Sequence, residues 1–286
     1  MSDSPVAMVT GASTGIGLAI VKQLLDSGYR VAATARRESL ARFGELSHPQ
    51  LKFFALDVTH AQQRAGSVHD VLQAFGRIDV LVNNAGICTR SVLEHLSFDD
   101  EHRQFDVNYF GAMALTRLVL PQMRQRRSGH IVNISSTAGM VAMPTMGCYS
   151  ASKFAFEGAS EALWYEMKPW GIHVTLIQPG FVHSQSFRNA MFTEKAAQSL
   201  NDENDDYHIY YTEMLHFIER LMIRSPSRPE DIARIVVREL RRPGRLRVHA
   251  TWDARLFNLL RRGLPQRVYH WVLYRGLPRV KHWVKP

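Results

Sequence analysis

Val6-Ala-Met-Val9-Thr10-Gly11-Ala-Ser13-Thr14-Gly15-Ile16-Gly17 is the stretch on which the fold of this chain turns. Four apolar residues read as a short buried strand, and the glycines that follow read as a tight turn. Leu18, Ile20, Val21, Leu24 and Leu25 then recur at helical spacing. Glycines at a strand-to-helix turn let the backbone approach a pyrophosphate, which then sits at the positive end of the helix. The spacing is Gly-x-x-x-Gly-x-Gly rather than Gly-x-Gly-x-x-Gly. The strand before it and the amphipathic helix after it set it apart from a simple loop.

Outward from that turn, strands are expected near residues 6–10, 29–34, 52–57, 79–84, 130–135, 173–178 and 246–250, with helical stretches between most of them. This alternation predicts an α/β fold: a Rossmann-type, doubly wound parallel sheet of about seven strands. At 286 residues and 45% hydrophobic, the chain can bury a sizeable single-domain core. It shows no repeat and no low-complexity tract. Met1 to Pro5 lead directly into the first strand, so no signal peptide is expected. No apolar run reaches the ~20 residues of a membrane span. Two cysteines, Cys88 and Cys148, make no disulfide framework and fit a reducing, cytoplasmic compartment. Both fall near the candidate active residues, either as small buried hydrophobes or as thiols open to reagents. The histidines show no metal spacing; His130 and His173 fall at strand starts and read as structural, and no metal is expected.

Tyr149-Ser-Ala-Ser-Lys153 places a phenol and an ammonium on one helix face. A fixed cation favours the phenolate, which predicts a tyrosine pKa below its usual value of about 10 and proton exchange near neutral pH. Ser136 ends the apolar run Ile131-Val-Asn-Ile-Ser-Ser136, which reads as a buried strand.

Thr10 to Gly17, Asp57-Val58, Asn83-Asn84-Ala85-Gly86, Asn108, Ser136, Tyr149, Lys153 and Pro179-Gly180 together resemble the short-chain dehydrogenase/reductase family over residues 5–250. The resemblance implies that Ser136 polarises a substrate oxygen and that Tyr149 is the general acid or base. It implies that Lys153 binds the nicotinamide ribose, while Asn108 anchors a water linking Lys153 to solvent. Gly11, Ser13, Thr14, Gly15, Ile16 and Gly17 would hold the cofactor's phosphates. Asp57 and Val58 would meet its adenine, Asn84, Ala85 and Gly86 its cleft, and Pro179, Gly180, Val182 and Ser184 its carboxamide. The lid and tail are similar to the retinol- and hydroxysteroid-dehydrogenase-like branch.

Charge bears on which nicotinamide cofactor is used. Tyr29-Arg-Val-Ala-Ala-Thr34-Ala35 is followed by Arg36-Arg37, with no acid where a ribose 2′-hydroxyl would be held. Guanidiniums match a 2′-phosphate bidentately, so NADP(H) is expected, with Arg36 and Arg37 as its clamp. Many relatives that bind NADP carry a basic residue where this chain has Ser13.

The basic excess has one address. Residues 241–286 hold 12 of the 35 Lys and Arg but one of the 26 acids, Asp253, leaving 23 bases and 25 acids elsewhere. Residues 1–250 are therefore expected to form the catalytic domain, with 184–228 as substrate lid and 251–286 as a basic amphipathic helical appendage. Leu256, Leu259 and Leu260, then Val268, Trp271 and Val272, give two short amphipathic segments split by Pro265. They fit a peripheral membrane contact, or a fold-back over the cleft or against a partner subunit. No base-reading module accompanies the charge, so nucleic acid is not an expected partner. The lid supplies Phe187, Met191, Phe192, Tyr207, Tyr210, Tyr211, Met214, Leu215, Phe217 and Ile218, either as a lipophilic pocket or as helix core. The function expected is NADP-dependent interconversion of a lipophilic alcohol and its ketone or aldehyde, in a homo-oligomer (dimer or tetramer). A 3-oxoacyl-carrier-protein reductase, or a membrane-associated NADP-binding sensor, are the alternatives; the long tail speaks against the first and the intact Ser-Tyr-Lys-Asn set against the second.

Overall fold

The computed structural model describes residues 4–44, 46–184 and 190–284. Its opening strand, β1 (Val6–Val9), is wholly buried. Side chains alternate along a strand, so Ala7 and Val9 enter one core cluster and Met8 the other. A strand covered on both faces has no place for polar residues, which is why its sequence is a continuous apolar run.

The chain continues through α1 (Gly15–Asp26), β2 (Arg30–Ala35), β3 (Leu51–Ala55), α2 (Ala61–Phe75), β4 (Val80–Asn83) and β5 (Thr89–Arg90). Then come α3 (Phe98–Phe105), a π-helical turn (Asp106–Gly111), α4 (Ala112–Arg126), β6 (Gly129–Ile134), α5 (Gly147–Met167) and β7 (Ile172–Gln178). The remainder is β8 (Met191–Phe192), α6 (Glu194–Asn201), α7 (His208–Arg224), α8 (Pro229–Arg241), β9 (Arg247–His249), α9 (Trp252–Gly263) and α10 (Gln266–Gly276).

Seven strands form one parallel sheet in the order β3-β2-β1-β4-β6-β7-β9. All seven expected strands are present, each within two residues of its expected ends. The chain order reverses between β1 and β4, which opens a crevice at the carboxyl ends of the strands, where α/β sheets bind ligands. On one face α1 and α8 cover the sheet with Ile20, Leu24, Ile232 and Val236; on the other lie Val71 of α2, Leu115 and Val119 of α4 and Leu163 of α5. A buried polar seam joins the second layer to the sheet: Asn83 Nδ2 donates to Asn133 Oδ1 at 2.8 Å and to Thr116 Oγ1 at 3.0 Å, and Asn133 Nδ2 donates to Ser160 Oγ.

One feature was not foreseen from the sequence. β5 and β8 pair in parallel, Thr89 with Met191 and Arg90 with Phe192, stitching the chain after β4 to the lid. Strands of two residues carry no periodicity to read. The tail takes the fold-back, one of the two arrangements its sequence left open. α9 and α10 fold back, burying Ala254 and Tyr269 with Phe257 and Leu260 against Met140 and Val141. Trp283 packs with Met214, Ile218 and Tyr210 of α7. Among the described residues, no helix is long and apolar enough to cross a membrane.

Candidate active site

The cleft begins at the glycine turn. Gly11 has φ +62, and a Cβ there would stand 2.8 Å from Ala85 Cα, so the turn lies flush against the segment after β4. Asn84 bolts the two together: its Nδ2 donates to the carbonyls of Thr10 and Gly11 at 2.9 and 3.0 Å. Thr10 Oγ1 accepts from the amides of Asn84 and Ala85. The Asn84 side chain therefore shapes the cleft from behind. Thr14, with φ −151, leads into α1 without a side-chain cap, and no acid occupies the first turn. The first amides of α1 make a site suited to an anion.

This turn opens into a cavity of about 850 Å³ that runs past β4 to the lid and tail. Ser13, Thr14, Ile16 and Gly17 line one end, with Arg36, Asp57, Val58 and Thr59 beside them. Asp57 is held below the usual carboxylate range: burial pushes it up, but hydrogen bonds from Thr59 N and Oγ1 at 2.9 and 2.7 Å, with His60 and Arg36 nearby, outweigh that. Of the two arginines expected as a clamp, Arg36 lines the cavity and pairs with Glu38 at 3.2 Å across an exposed surface. Arg37 starts the short 3-10 helix Arg37–Phe43 and is not among the lining residues. Arg42, one turn or more along that helix, does line the cavity, as does buried Ser39. Sequence reasoning missed Arg42 because only the helical turn brings it back to Arg36.

The middle of the cavity holds the chemistry. Ser136 ends the β6 extension, accepts a hydrogen bond from Ala138 N at 3.1 Å and lines the same cavity as Tyr149. Tyr149 and Lys153 share the buried face of α5, with Lys153 Nζ 5.9 Å from the tyrosine ring centre and donating to Ile134 O at 3.0 Å. Lys153 is pushed down to about 8 by burial, against the raising fields of Glu157 and Cys88. Tyr149 is pushed well above the usual phenol value, chiefly by burial and then by Cys88, with Ser136 opposing. The direction is opposite to the expected lowering by Lys153, because desolvation of a buried phenolate favours the protonated form.

Asn108 sits in the π-helical turn, a local widening that aims its amide inward. Its Oδ1 accepts from Ile87 N at 2.9 Å, and its Nδ2 donates to Ile87 O and to Ser152 Oγ. It lies behind the cavity wall, next to Gly86, whose added Cβ would be 3.3 Å from Asn108 Oδ1 and 3.9 Å from Lys153 Nζ. Glu157, unnoticed in the sequence, is the third member of the α5 stripe at four-residue spacing. It accepts from Ser135 Oγ and Gln178 Nε2 at 2.7 Å and pairs with Arg247 at 3.4 Å.

At the far end Pro179, Gly180, Val182 and Ser184 line the cavity, as expected. The wall opposite is mostly thioether and aliphatic: Met143, Met146, Met191, Met222 and Ile218, closed by Phe181 and by Phe257 of α9. Of the lid residues expected there, Met191 and Ile218 face the cavity. Tyr211 is instead a core strut, its hydroxyl accepting from Val92 N at 3.1 Å, and Met214 is fully buried. Tyr207 bonds Glu94, Tyr210 stacks on Trp283, and Phe187 lies outside the described residues. Cys88 lines the cavity and is pushed up to about 11 by burial, so it is a thiol rather than a thiolate; Cys148 is buried away from it. His130 is structural, buried and hydrogen bonded to Thr175 Oγ1 at 2.8 Å.

A family model described as short chain dehydrogenase matches residues 5–195. The chain is similar to 3-ketodihydrosphingosine reductase of Bacteroides thetaiotaomicron, 35% identical over 215 residues, covering 75% of this chain and 76% of that protein. It is similar to retinol dehydrogenase 8 of Bos taurus, 33% identical over 248 residues, covering 83% and 78%. Among solved structures, a short-chain dehydrogenase from Streptomyces avermitilis superposes with a TM-score of 0.80 at 32% identity, covering 96% of this chain and 98% of that one.

Proposed function

The chain belongs to the short-chain dehydrogenase family, and from that premise we propose that it is an NADP(H)-dependent oxidoreductase that interconverts a lipophilic alcohol and its ketone or aldehyde. The observation that carries this reading is that Ser136, Tyr149 and Lys153 line the middle of one continuous cavity. An anion-binding helix turn stands at one end of that cavity and a methionine-rich wall at the other. Apolar, conformationally soft side chains suit an extended lipid-like group. Two relatives, a 3-ketodihydrosphingosine reductase and a retinol dehydrogenase, support the same substrate class.

The residues present fit a nicotinamide dinucleotide. The flush Gly11–Ala85 contact makes room for its backbone, and Arg36 with Arg42 offers two guanidiniums where no carboxylate faces the cavity beyond Asp57. When bound, that cofactor exchanges a hydride with the carbon of the substrate. The chain does the rest. Ser136 donates a hydrogen bond to the substrate oxygen, and Tyr149 passes its proton to that oxygen as negative charge develops. Lys153, ionised below about pH 8, adds positive potential beneath Tyr149. Asn108 ties Ile87 to Ser152, the residue that precedes this lysine.

The outer faces of α9 and α10 complete the proposal: they rest on an anionic lipid surface. Trp252, Leu256 and Leu259, four and then three residues apart, are exposed on α9, and Val268, Trp271 and Tyr274 on α10. Arg255, Arg262, Arg267 and Arg275 are exposed among them, and the tail's single acid, Asp253, is buried. Such a surface gains from both apolar insertion and about 1 kcal/mol per basic residue near anionic lipid.

The primary test is oxidation of NADPH against NADH with a panel of lipophilic ketones and aldehydes. Turnover with NADPH should fall about 10²–10⁴-fold in Tyr149→Phe, the usual contribution of a positioned acid, with cofactor binding retained. Tight NADPH binding with no turnover on any carbonyl would point instead to a sensor.

A further inference from the structure

Arg90 is the one feature of the cavity that carbonyl chemistry leaves unexplained. It belongs to β5, only 4% exposed, and lines the substrate end of the cavity beside Cys88 and Met191. Its Nε has no hydrogen-bond partner among the described residues. Among the described residues no carboxylate lies within 4 Å of its guanidinium. The partner that it does have, the Cys88 thiol, is neutral, and the acid whose field reaches it, Glu219 on α7, forms no ion pair with it. Burying a guanidinium without a paired charge is costly, and buried charges are ordinarily paired. Arg90 is also locked in place, because its strand pairs with Phe192 and the next residue, Ser91, bridges to Met146. It is therefore a rigidly held, buried cation in the wall of the cavity that also holds Tyr149 and the methionines.

We propose that Arg90 binds an anionic group of the substrate, so that the preferred ligand is an amphipathic carbonyl or alcohol carrying a carboxylate or phosphate near its reacting carbon and an apolar chain against Met143, Met146, Met222 and Phe257. The inference deepens the oxidoreductase reading and rests on it for the reacting carbonyl. The anion site itself is independent of turnover. The dinucleotide's phosphates are served by the opposite end of the cavity, at the α1 turn and Arg36, whereas Arg90 is tied to the lid strand. A guanidinium fork accepts a carboxylate or a phosphate equally well in geometry.

Binding of octanoate, octyl phosphate and octanol, all below micelle-forming concentrations, is to be measured by calorimetry on the full chain saturated with NADP+. At the worth of a charge-assisted hydrogen bond, the two anions should bind about 10–100-fold more tightly than the alcohol. The stronger of the two anions identifies the head group. In Arg90→Met the preference should vanish, and in Arg90→Lys it should persist in part, with NADPH affinity unchanged in both. Removal of an unpaired buried charge should leave the thermal midpoint level or higher. Equal binding of octanol and the anions by the unaltered protein would overturn the proposal without needing any variant. A preference that survives Arg90→Met would do the same, as would weakened NADPH binding or a lower midpoint in that variant, which would mark Arg90 as a cofactor or structural residue. If the anions bind as expected but no carbonyl is reduced, the oxidoreductase reading fails and the anion site stands.

Discussion

Asp253 Oδ2 accepts a hydrogen bond from Phe181 N at 2.9 Å, and so the first turn of the basic tail is tied to the wall of the active cavity. One residue earlier in the wall, Gly180 N donates to Thr251 Oγ1 at 2.9 Å. A Cβ at Gly180 would overlap the Asp253 carboxylate, so the two segments fit only because that position is glycine. The tail is thus part of the cavity's wall, which Phe257 lines, and Trp283 is buried against α7.

Asp253→Ala should therefore damage both stability and turnover. A buried charge-assisted hydrogen bond is worth about 1.5–3 kcal/mol, and a chain of this size loses roughly 2–4 °C of Tm per kcal/mol. The expected result is a Tm lower by about 3–12 °C, with a raised KM for lipophilic carbonyls. Differential scanning fluorimetry and steady-state kinetics check it. Gly180→Ala should resemble it. An Asp253→Ala variant of native Tm and KM would show that the tail is an independent appendage.

The reductase rate should fall as pH rises through about 8, where Lys153 loses its proton. Tyr149, raised in pKa, stays protonated over that range. Stability should move the other way. The folded pKa lies below the usual lysine value of 10.5, so between the two values the unfolded chain binds more protons. Lys153's contribution to ΔG therefore rises with pH across that window. Glu157 raises the lysine pKa, so Glu157→Gln should shift the falling limb of the rate profile to lower pH. An unmoved limb in this variant would confine Glu157 to packing.

Arg36→Ala and Arg42→Ala should each raise KM for NADPH, about tenfold for loss of one phosphate contact, and leave KM for NADH nearly unchanged. Arg37→Ala should leave both unchanged, since Arg37 is not among the cavity-lining residues. Stopped cofactor titrations decide the matter. Equal losses with the two nucleotides would remove the case for a 2′-phosphate clamp.

Sedimentation with vesicles tests the outer tail face. Phosphatidylserine-containing vesicles should carry the protein down at low salt, phosphatidylcholine vesicles less, and Trp271→Ser with Leu259→Ser should abolish the effect while sparing Tm, because both side chains are more than half exposed. Retained pelleting of the double variant would assign the exposed stripe elsewhere. Deleting residues 251–286 is not a clean alternative, since it would uncover Met140, Val141, Met214 and Ile218.

Much of the site was legible because its parts are local. Val6–Val9 is a buried strand by composition, the glycine turn by backbone freedom, and Tyr149 with Lys153 by helical spacing. Glu157 obeys the same four-residue spacing and was overlooked for want of a partner; Arg247, which pairs with it, lies 90 residues away. Arg42 and Arg90 needed the structure for a similar reason. One is turned toward the cleft by a 3-10 helix, and the other is held by a two-residue strand whose partner lies across the lid.

The amino-acid sequence by itself determined the seven strands, the glycine turn and the shared helix face of Tyr149 and Lys153, because strand, turn and helix-face patterns depend on neighbours a few residues apart. Only the tertiary structure decided that burial raises the pKa of Tyr149, that Tyr211 is core while Met191 and Met222 face the cavity, and that the tail is clamped by Asp253. Those outcomes depend on desolvation and on which distant surfaces meet, and neither quantity is written in any short stretch of chain.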